Sequence, residues 1–296
     1  MSKKGKSAKS SKSARKAKAP ARRTARSLMA VAASAKSGVK ERVASLNEVT
    51  LAASDQDANV TRALDILGND NEPAEVRMAA LEALQTASFS VVAFAPVRGE
   101  YLATLRKVAT DPNAELRESA LGVLARNKDG FAQQKLLEGL QDPGKALVPT
   151  ETALSLLSFD PHADAYNVAR RIASAPPSDD ARQEALRLLS ADATSAPLFE
   201  KLLLDKSEKR EVRQLSAAAL HSIAPKKFQK RARELVFDPS EYPDIQATSL
   251  AAITNFSDPE ALANDEPLLK RVDSLSEKSP AKVKQVARRF MTKFKR

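Results

Sequence analysis

A nine-residue pattern, V-R-x-x-A-L-x-x-L, recurs along this chain and limits its fold more than any other feature. The copies begin at Val76, Leu116, Pro149, Ala181, Val212, Ile245 and Val283. The small residue of the pattern lies at positions 80, 120, 153, 185, 216, 249 and 287, so successive copies are 40, 33, 32, 31, 33 and 38 residues apart. Seven copies near a common period predict a repeat architecture.

Each copy has the periodicity of one helix. Apolar residues at i, i+4, i+5 and i+8 share a face, and the small residue at i+4 lets a neighbouring helix approach closely. Asp or Ser, often followed by Pro, precedes several copies and predicts a capped helix start. These start signals are Asp111-Pro112, Asp142-Pro143, Ser207, Asp238-Pro239 and Ser279-Pro280.

A second apolar segment follows most copies, so each unit is predicted to be a helix–turn–helix. The segments are 101–108, 134–140, 166–172, 197–204 and 228–236. One such pair cannot bury its apolar face alone, so neighbouring pairs must stack. The sequence therefore predicts an all-α fold, a right-handed α-solenoid (superhelix) of about seven stacked helix–turn–helix repeats over residues 41–296, ending in a basic capping helix.

The grouping D-P-x-x-x-[VL]-R-x-x-A-L resembles the HEAT-repeat family, in particular the HEAT-like repeats of the phycobilisome-lyase type. The resemblance covers roughly residues 70–291. It implies a curved superhelix whose V-R helices line the concave side, and an inter-repeat ladder of Asp and Arg. The positions that match this ladder are Arg77, Arg117, Arg182, Arg213, Asp111 and Asp142, whereas Thr150, Gln246 and Lys284 depart from it.

Charge divides the chain into a basic tail, an acidic body and a basic end. Residues 1–40 hold 13 Lys and Arg and no acid, residues 277–296 carry +7, and the residues between them carry −9. A tail of Lys, Arg, Ser and Ala has nothing to bury, so we expect residues 1–40 to be disordered. Its cations are candidates for contact with DNA or RNA: Lys3, Lys4, Lys6, Lys9, Lys12, Arg15, Lys16, Lys18, Arg22, Arg23 and Arg26. Solubilisation and targeting of the chain are the alternatives.

The body itself has no basic strip that could hold a duplex. The two positions after each Arg site are expected near the concave surface, and none of them is basic. A solenoid that cradles nucleic acid needs rows of Lys or Arg, so this strip favours a protein partner. Its candidate contacts are Glu118, Glu151, Gln183 and Gln214.

The apolar run FSVVAFAPVRG (89–99) lies in the first long interval between copies. One interpretation is an exposed hydrophobic anchor for a partner, with Phe89 and Phe94 as its contacts. The other, which we favour, is a helix end folded back on the core.

The sequence shows no catalytic, cofactor or metal motif. Cysteine is absent, and the two histidines, His162 and His221, are far apart. Gly-rich phosphate loops are missing, as are the repeated His-Glu pairs of the HEAT-like hydroxylases that bind two irons. We therefore expect no enzyme, no cofactor and no metal. Without 18 consecutive apolar residues, no transmembrane segment is predicted, and a cytoplasmic location is expected, at the nucleoid in a bacterium or in the nucleus of a eukaryote.

The sequence thus predicts a non-enzymatic scaffold or adaptor that binds a protein partner on its body, with a basic tail that tethers it to nucleic acid. One alternative is a nucleic-acid-binding protein that uses its two basic ends for recognition. A second alternative is a lyase-like or chaperone-like protein of cofactor attachment.

Overall fold

The computed structural model describes residues 23–51 and 56–294, and within them every regular element is helical. The α-helices are α1 (Ala25–Ala32), α2 (Val39–Glu48), α3 (Gln56–Gly68), α4 (Ala74–Ser88), α5 (Val91–Phe94), α6 (Arg98–Val108), α7 (Ala114–Arg126), α8 (Gly130–Gln141), α9 (Thr150–Leu157), α10 (Ala163–Ser174), α11 (Asp179–Leu189), α12 (Ala196–Leu204), α13 (Arg210–Ile223), α14 (Pro225–Phe237), α15 (Pro243–Phe256), α16 (Pro259–Ala263), α17 (Glu266–Lys278) and α18 (Ala281–Phe294). Short 3-10 turns lie at Ala95–Val97, Pro143–Lys145 and Ala193–Ser195.

The chain separates into two compact units, residues 1–101 and residues 102–296, with the boundary inside α6. In the first unit α2 packs on α1 and α4, and α3 packs on α4. In the second unit a series of helices is formed in which each helix contacts the next: α7, α9, α11, α13, α15 and α18. We call these the A helices of the second unit. The A helices of the first unit are α2 and α4, which also contact each other. The helices between them (α8, α10, α12, α14 and α17), together with α3 and α6, are the B helices. Each B helix except α6 packs on the A helix that follows it, as α12 does on α13.

The repeat prediction and the all-α solenoid fold are confirmed. Each of the seven small pattern residues lies in an A helix and is at most 3% exposed. All five predicted second segments fall within helices that follow an A helix. The pattern residue is therefore part of the core in every copy, where its small side chain leaves room for a neighbouring helix.

The predicted helix caps are wrong in their position. Asp111, Asp142 and Asp238 do not cap the A helices but form turns just before them, in which each Oδ1 accepts the backbone N–H two residues on, at 2.8–3.0 Å. Asn69 and Asp205 form the same turn at 3.1 and 2.9 Å. Asx turns of this kind are an alternative use of the side-chain oxygen that also favours N-caps, and here the helices begin several residues later.

The predicted disordered tail extends too far. Residues 25–32 form α1, whose Leu28, Met29 and Ala32 are buried and which packs on α2 and α3. Thr24 caps this helix by accepting the Ser27 N–H at 3.2 Å. Four apolar residues in LMAV are enough to fix a short helix when neighbouring helices cover them, although the surrounding composition is basic. The rest of the predicted tail, residues 1–22, lies outside the described residues.

The close approach at the pattern residue gives a stability test. Replacing buried Ala120 of α7 by Leu should lower the free energy of unfolding by about 1–3 kcal/mol, because the larger side chain must displace packed neighbours. The matched control is Ala114→Leu at an exposed position of the same helix, which should change it by less than about 0.5 kcal/mol. Chemical denaturation measures both, and equal effects would show that α7 has no close contact at residue 120.

Candidate protein-binding groove

A groove of about 490 Å³ lies where three successive A helices, α7, α9 and α11, line one surface of the second unit. Each of these helices contributes a carboxylate, from Glu118, Glu151 and Glu184 in turn, and Asp180 adds a fourth. The remaining lining residues are Thr152, Ser155, Leu156, Gln183 and Arg187. These side chains are half-buried or exposed, so a partner can reach them.

The groove is negatively charged. Arg187 is its one cation and pairs with Glu184 on the same helix, three residues away. Among the described residues, no cation forms an ion pair with Glu118, Glu151 or Asp180. Three acceptors on three different helices are therefore available to cations of a partner.

Local capping fixes the helices that carry these carboxylates. Asn113 caps α7 by accepting the Leu116 N–H at 3.0 Å, and Ser178 caps α11 by accepting the Ala181 N–H at the same distance. Pro149 precedes the first residue of α9. Since each helix begins close to its groove residue, the backbone at Glu118, Glu151 and Asp180 is held by the first turns.

The structure places the six predicted protein contacts differently. Glu118, Glu151 and Gln183 lie together in the groove. Gln214 is half-buried on α13 and does not line it. Phe89 is 76% exposed, but Phe94 is only 5% exposed and meets Tyr101 edge to face at 5.3 Å. The prediction that Phe94 is a surface contact is therefore wrong, because the run at 89–97 turns inward at this residue.

The arginine that follows the first apolar position of the pattern satisfies the carbonyl groups at the end of a preceding helix. In Arg77 and Arg213 of the pattern, and also in Arg42 of α2, Nε donates to the carbonyl oxygen ten residues earlier, at 3.0, 2.8 and 2.7 Å. The last carbonyl groups of a helix have no partner within it and carry partial negative charge. A buried guanidinium at this position compensates both effects.

Arg42 and the arginines of the pattern make further contacts, several of them to acidic residues. Arg42 pairs with Glu72 at 2.7 Å, Arg77 pairs with Asp70 at 3.1 Å, and Arg182 donates two hydrogen bonds to Glu208. In Arg117, Nε donates instead to the Leu147 carbonyl at 2.5 Å, and Nη1 to the Asp111 carbonyl at 2.6 Å. Asp111 and Asp142, the predicted acidic members of the ladder, form the Asx turns described above.

The most buried of these pairs joins Arg213 to Glu241 at 2.6 Å, with side chains only 2% and 0% exposed. Lys206 contacts the same Glu241 carboxylate at 2.6 Å and Asp238 at 2.7 Å. Burial alone would raise the pKa of Glu241, but the hydrogen bonds from Arg213 and Lys206 outweigh burial and lower it. The Lys206 hydrogen bond likewise holds the pKa of Asp238 far below its usual range.

A second set of ion pairs joins B helices and was not predicted from the sequence. Arg106 binds Asp129 at 2.7 Å, Arg170 binds Asp192, and Arg233 binds Asp265. In each pair the Asp also caps the helix or turn that begins just after it, so an arginine of one B helix holds the start of the next. The pairs join residues 23, 22 and 32 apart, and no short motif in the sequence marks them.

A larger cavity, of about 640 Å³, lies beside α14. Ile253, Phe256, Leu262 and Leu268 form its apolar side. The other lining residues are Lys226, Gln229, Lys230, Arg233, Ser257, Asp258, Ala261 and Asp265. Since Arg233 is paired with Asp265, the lysines of α14 are the cations that remain at its rim. The cavity thus combines an apolar side with positive charge.

The histidines lie in structural positions. The Nδ1 of His162 caps α10 by accepting the Ala165 N–H at 3.3 Å. His221 lies against Phe228 and Phe256, with ring centroids 6.1 and 5.3 Å away, and burial lowers its pKa. Within residues 23–51 and 56–294, no group of three or more potential metal ligands occurs.

Of the eleven predicted tail cations, only Arg23 and Arg26 fall within the described residues, and both are exposed. The other nine, from Lys3 to Arg22, lie outside them. In the part of the chain that is described, no single helix is long and apolar enough to cross a membrane. Helix α4 meets that criterion only together with residues 91–108, as a bent pair.

Solved structures that are similar to this chain share little sequence identity with it, as two of them illustrate. Human deoxyhypusine hydroxylase, in complex with glycerol, is 15% identical, with coverage of 80% of this chain and 96% of that one and a TM-score of 0.36. The complex of CpcE and CpcF of phycocyanin lyase from Nostoc sp. PCC7120 is 17% identical, with coverage of 96% and 98% and a TM-score of 0.42. No family model matches the sequence, and no curated protein matches it significantly.

Within the described residues the fold is an all-α repeat of packed helices. Both similar structures carry the names of enzymes, a hydroxylase and a lyase. The expectation that this chain is not an enzyme is therefore corrected, because the lack of familiar catalytic motifs does not exclude an enzyme. The narrower resemblance to the phycobilisome-lyase type of repeat stays a prediction.

The Arg213–Glu241 pair predicts a dependence of stability on pH. The pKa values of Glu241 and Asp238 are lower in the folded chain than in the unfolded one, so folding favours their ionised forms. Their stabilisation is complete above the unfolded values of about 4 and is lost as the pH falls further. Thermal unfolding followed by circular dichroism should therefore show a falling Tm below about pH 4.

The substitution Glu241→Gln tests the same pair at neutral pH. It should lower the free energy of unfolding by about 3–5 kcal/mol, because Arg213 would stay buried without its carboxylate. Glu211→Gln, on the exposed side of α13, is the control and should change it by less than about 0.5 kcal/mol. A loss at Glu241 no larger than at Glu211 would contradict the assignment.

Proposed function

We propose that this chain binds a partner polypeptide in the groove between α7, α9 and α11, and that the bound segment of the partner carries lysine or arginine. The observation that carries the proposal is the set of carboxylates at Glu118, Glu151 and Asp180 in the groove. No cation among the described residues forms an ion pair with them. A cationic segment laid across the groove would meet one acceptor from each helix.

The charges in the groove determine how strong the binding is and how it depends on salt. A single exposed ion pair contributes only about 0.2–1 kcal/mol and weakens with salt. Useful affinity therefore needs several pairs at once, together with contacts to Leu156 and Thr152 in the groove. This requirement selects an extended segment with several cations over a single basic side chain.

The tether to nucleic acid that the sequence suggests stays a prediction. Nine of the tail residues proposed for it, Lys3 to Arg22, lie outside the described residues. The groove itself opposes that role, because its carboxylates would repel phosphates.

A second candidate function is lyase-like attachment of a cofactor, which the cavity beside α14 favours. Its volume of about 640 Å³ lies within the range of small-molecule sites, and an apolar wall with a few placed charges is their usual composition. CpcE and CpcF are named as a phycocyanin lyase. Incubation with a bilin tests this candidate: binding in the cavity should shift the absorbance of the bilin, and Phe256→Ala should remove the shift.

Binding of a labelled peptide tests the groove. The probe is an 18-residue fluorescein peptide of Lys, Ser and Ala with six lysines, measured by anisotropy at about 50 and 200 mM salt. The variant Glu118→Lys with Glu151→Lys should weaken its binding at least tenfold, since two attractions become repulsions.

The control for this experiment is Glu115→Lys, an exposed residue of α7 that does not line the groove. It changes the net charge in the same direction and should alter the affinity less than twofold. If the control weakens binding as strongly per charge as the groove variant, the peptide is responding to net charge alone, and the proposal fails.

A further inference from the structure

The cavity beside α14 has one polar wall and one apolar wall. On α14, four side chains that line it recur at intervals of three or four residues and so share one face of the helix: Lys226, Gln229, Lys230 and Arg233. The apolar wall comes from the end of α15, from α16 and from the start of α17. A cavity with charge on one side and hydrocarbon on the other matches the polarity of an amphipathic molecule.

Two of the four polar side chains bind the opposite wall. The Nε2 of Gln229 donates to the Ser257 hydroxyl at 2.8 Å. Arg233 pairs with Asp265, which also caps α17 by accepting the Leu268 N–H at 3.1 Å. These bonds tie α14 to the elements across the cavity, so the walls are held in place by the protein itself, as is usual for small-molecule sites.

The other two side chains, Lys226 and Lys230, leave their charges available to a ligand. Both residues are exposed, and neither forms an ion pair with a described residue. Of the two carboxylates in the lining, Asp265 is paired and Asp258 caps α16. Three cations against two anions leave a surplus of one positive charge, which complements a single anionic group better than several.

The apolar wall includes an aromatic ring that is not covered. Phe256 is 44% exposed, although Ile253, Leu262 and Leu268 beside it in the lining are buried. Contact with hydrocarbon would remove the ring surface from water, and this is favourable in proportion to the area covered. A ligand with an apolar body therefore gains from this wall, whereas a small inorganic anion would gain from the lysines alone.

We propose that the cavity beside α14 binds a small amphipathic monoanion, with its aliphatic body on the Phe256 wall and its anionic group between Lys226 and Lys230. A medium-chain fatty carboxylate has this chemistry. The site shares no residue with the groove between α7, α9 and α11, so the inference does not rest on the binding of a partner there. It takes the cavity of the second candidate function but needs no attachment reaction.

Calorimetric titration of the full chain with decanoate, and with decanol as its uncharged match, tests the position of the anionic group. The variant Lys226→Glu with Lys230→Glu should weaken decanoate at least tenfold, since two attractions become repulsions, and should change decanol less than twofold. The control is Lys227→Glu, an exposed residue of α14 that does not line the cavity, and it should change both less than twofold. An equal loss of decanoate in the control, or no loss in the double variant, overturns the proposal.

The variant Ala261→Gln tests the apolar wall. Ala261 lines the cavity from an exposed position of α16, so a longer side chain narrows the cavity without entering the core. It should weaken decanoate and decanol alike, at least fivefold, with an unchanged circular dichroism spectrum. Unchanged affinity for both ligands would show that they bind elsewhere and would overturn the proposal.

The two histidines report where decanoate binds in the native chain. The His221 ring lies 5.3 Å from the Phe256 ring, whereas His162 caps α10 and is not part of the cavity. In carbon-13 NMR of labelled imidazoles, saturating decanoate should shift the His221 resonances and leave those of His162 in place. An unshifted His221 would contradict contact with Phe256 and overturn the proposed position.

A bilin added to the same protein separates this inference from the second candidate function. Decanoate binding that depends on Lys226 and Lys230, without any shift of the bilin absorbance, would support the inference and count against cofactor attachment. A bilin shift that Phe256→Ala removes, in a protein that binds no decanoate, would overturn the inference and leave the second candidate function standing.

Discussion

The small side chain at one position of every A helix is the constraint on which the rest of this structure depends. It allows successive A helices to approach closely, and the other apolar positions of the pattern become core because that approach buries them. Serine replaces alanine at two of these positions. The Ser216 hydroxyl donates to the Val212 carbonyl at 2.8 Å, whereas the Ser249 hydroxyl has no hydrogen-bond partner among the described residues. Size at this position thus outweighs hydrogen bonding.

The sequence predicted the helices well because their signals are local and repeated. An apolar face, a small residue and a fixed interval can all be seen in the amino-acid sequence. The seven pattern residues are buried as expected. The start signals were harder to interpret, because an Asp that caps a helix and an Asp that closes an Asx turn are the same residue in similar surroundings. Residues 25–32 form α1 because α2 and α3 bury its apolar residues. The composition around Leu28 and Met29 does not reveal this burial.

The groove was predictable only in part, and for a related reason. Glu118, Glu151 and Gln183 follow from their place one residue after the arginine site, which the repeat carries from unit to unit. Asp180 and Arg187 lie outside that position and enter the groove through the particular packing of α11. The Arg–Asp pairs between B helices escape sequence reasoning entirely, since the two partners are 22–32 residues apart and only the fold brings them together.

The arginines that bind carbonyl groups ten residues earlier have a consequence for the order of folding. At Arg42, Arg77 and Arg213 the end of one helix is completed by a side chain that the ribosome adds only after that helix has been made. Domains generally fold from the N-terminus during synthesis, at about 5–20 residues per second. A nascent helix here would therefore wait about a second or two until its arginine is synthesised. The end of each such helix is completed only when the following helix has been made.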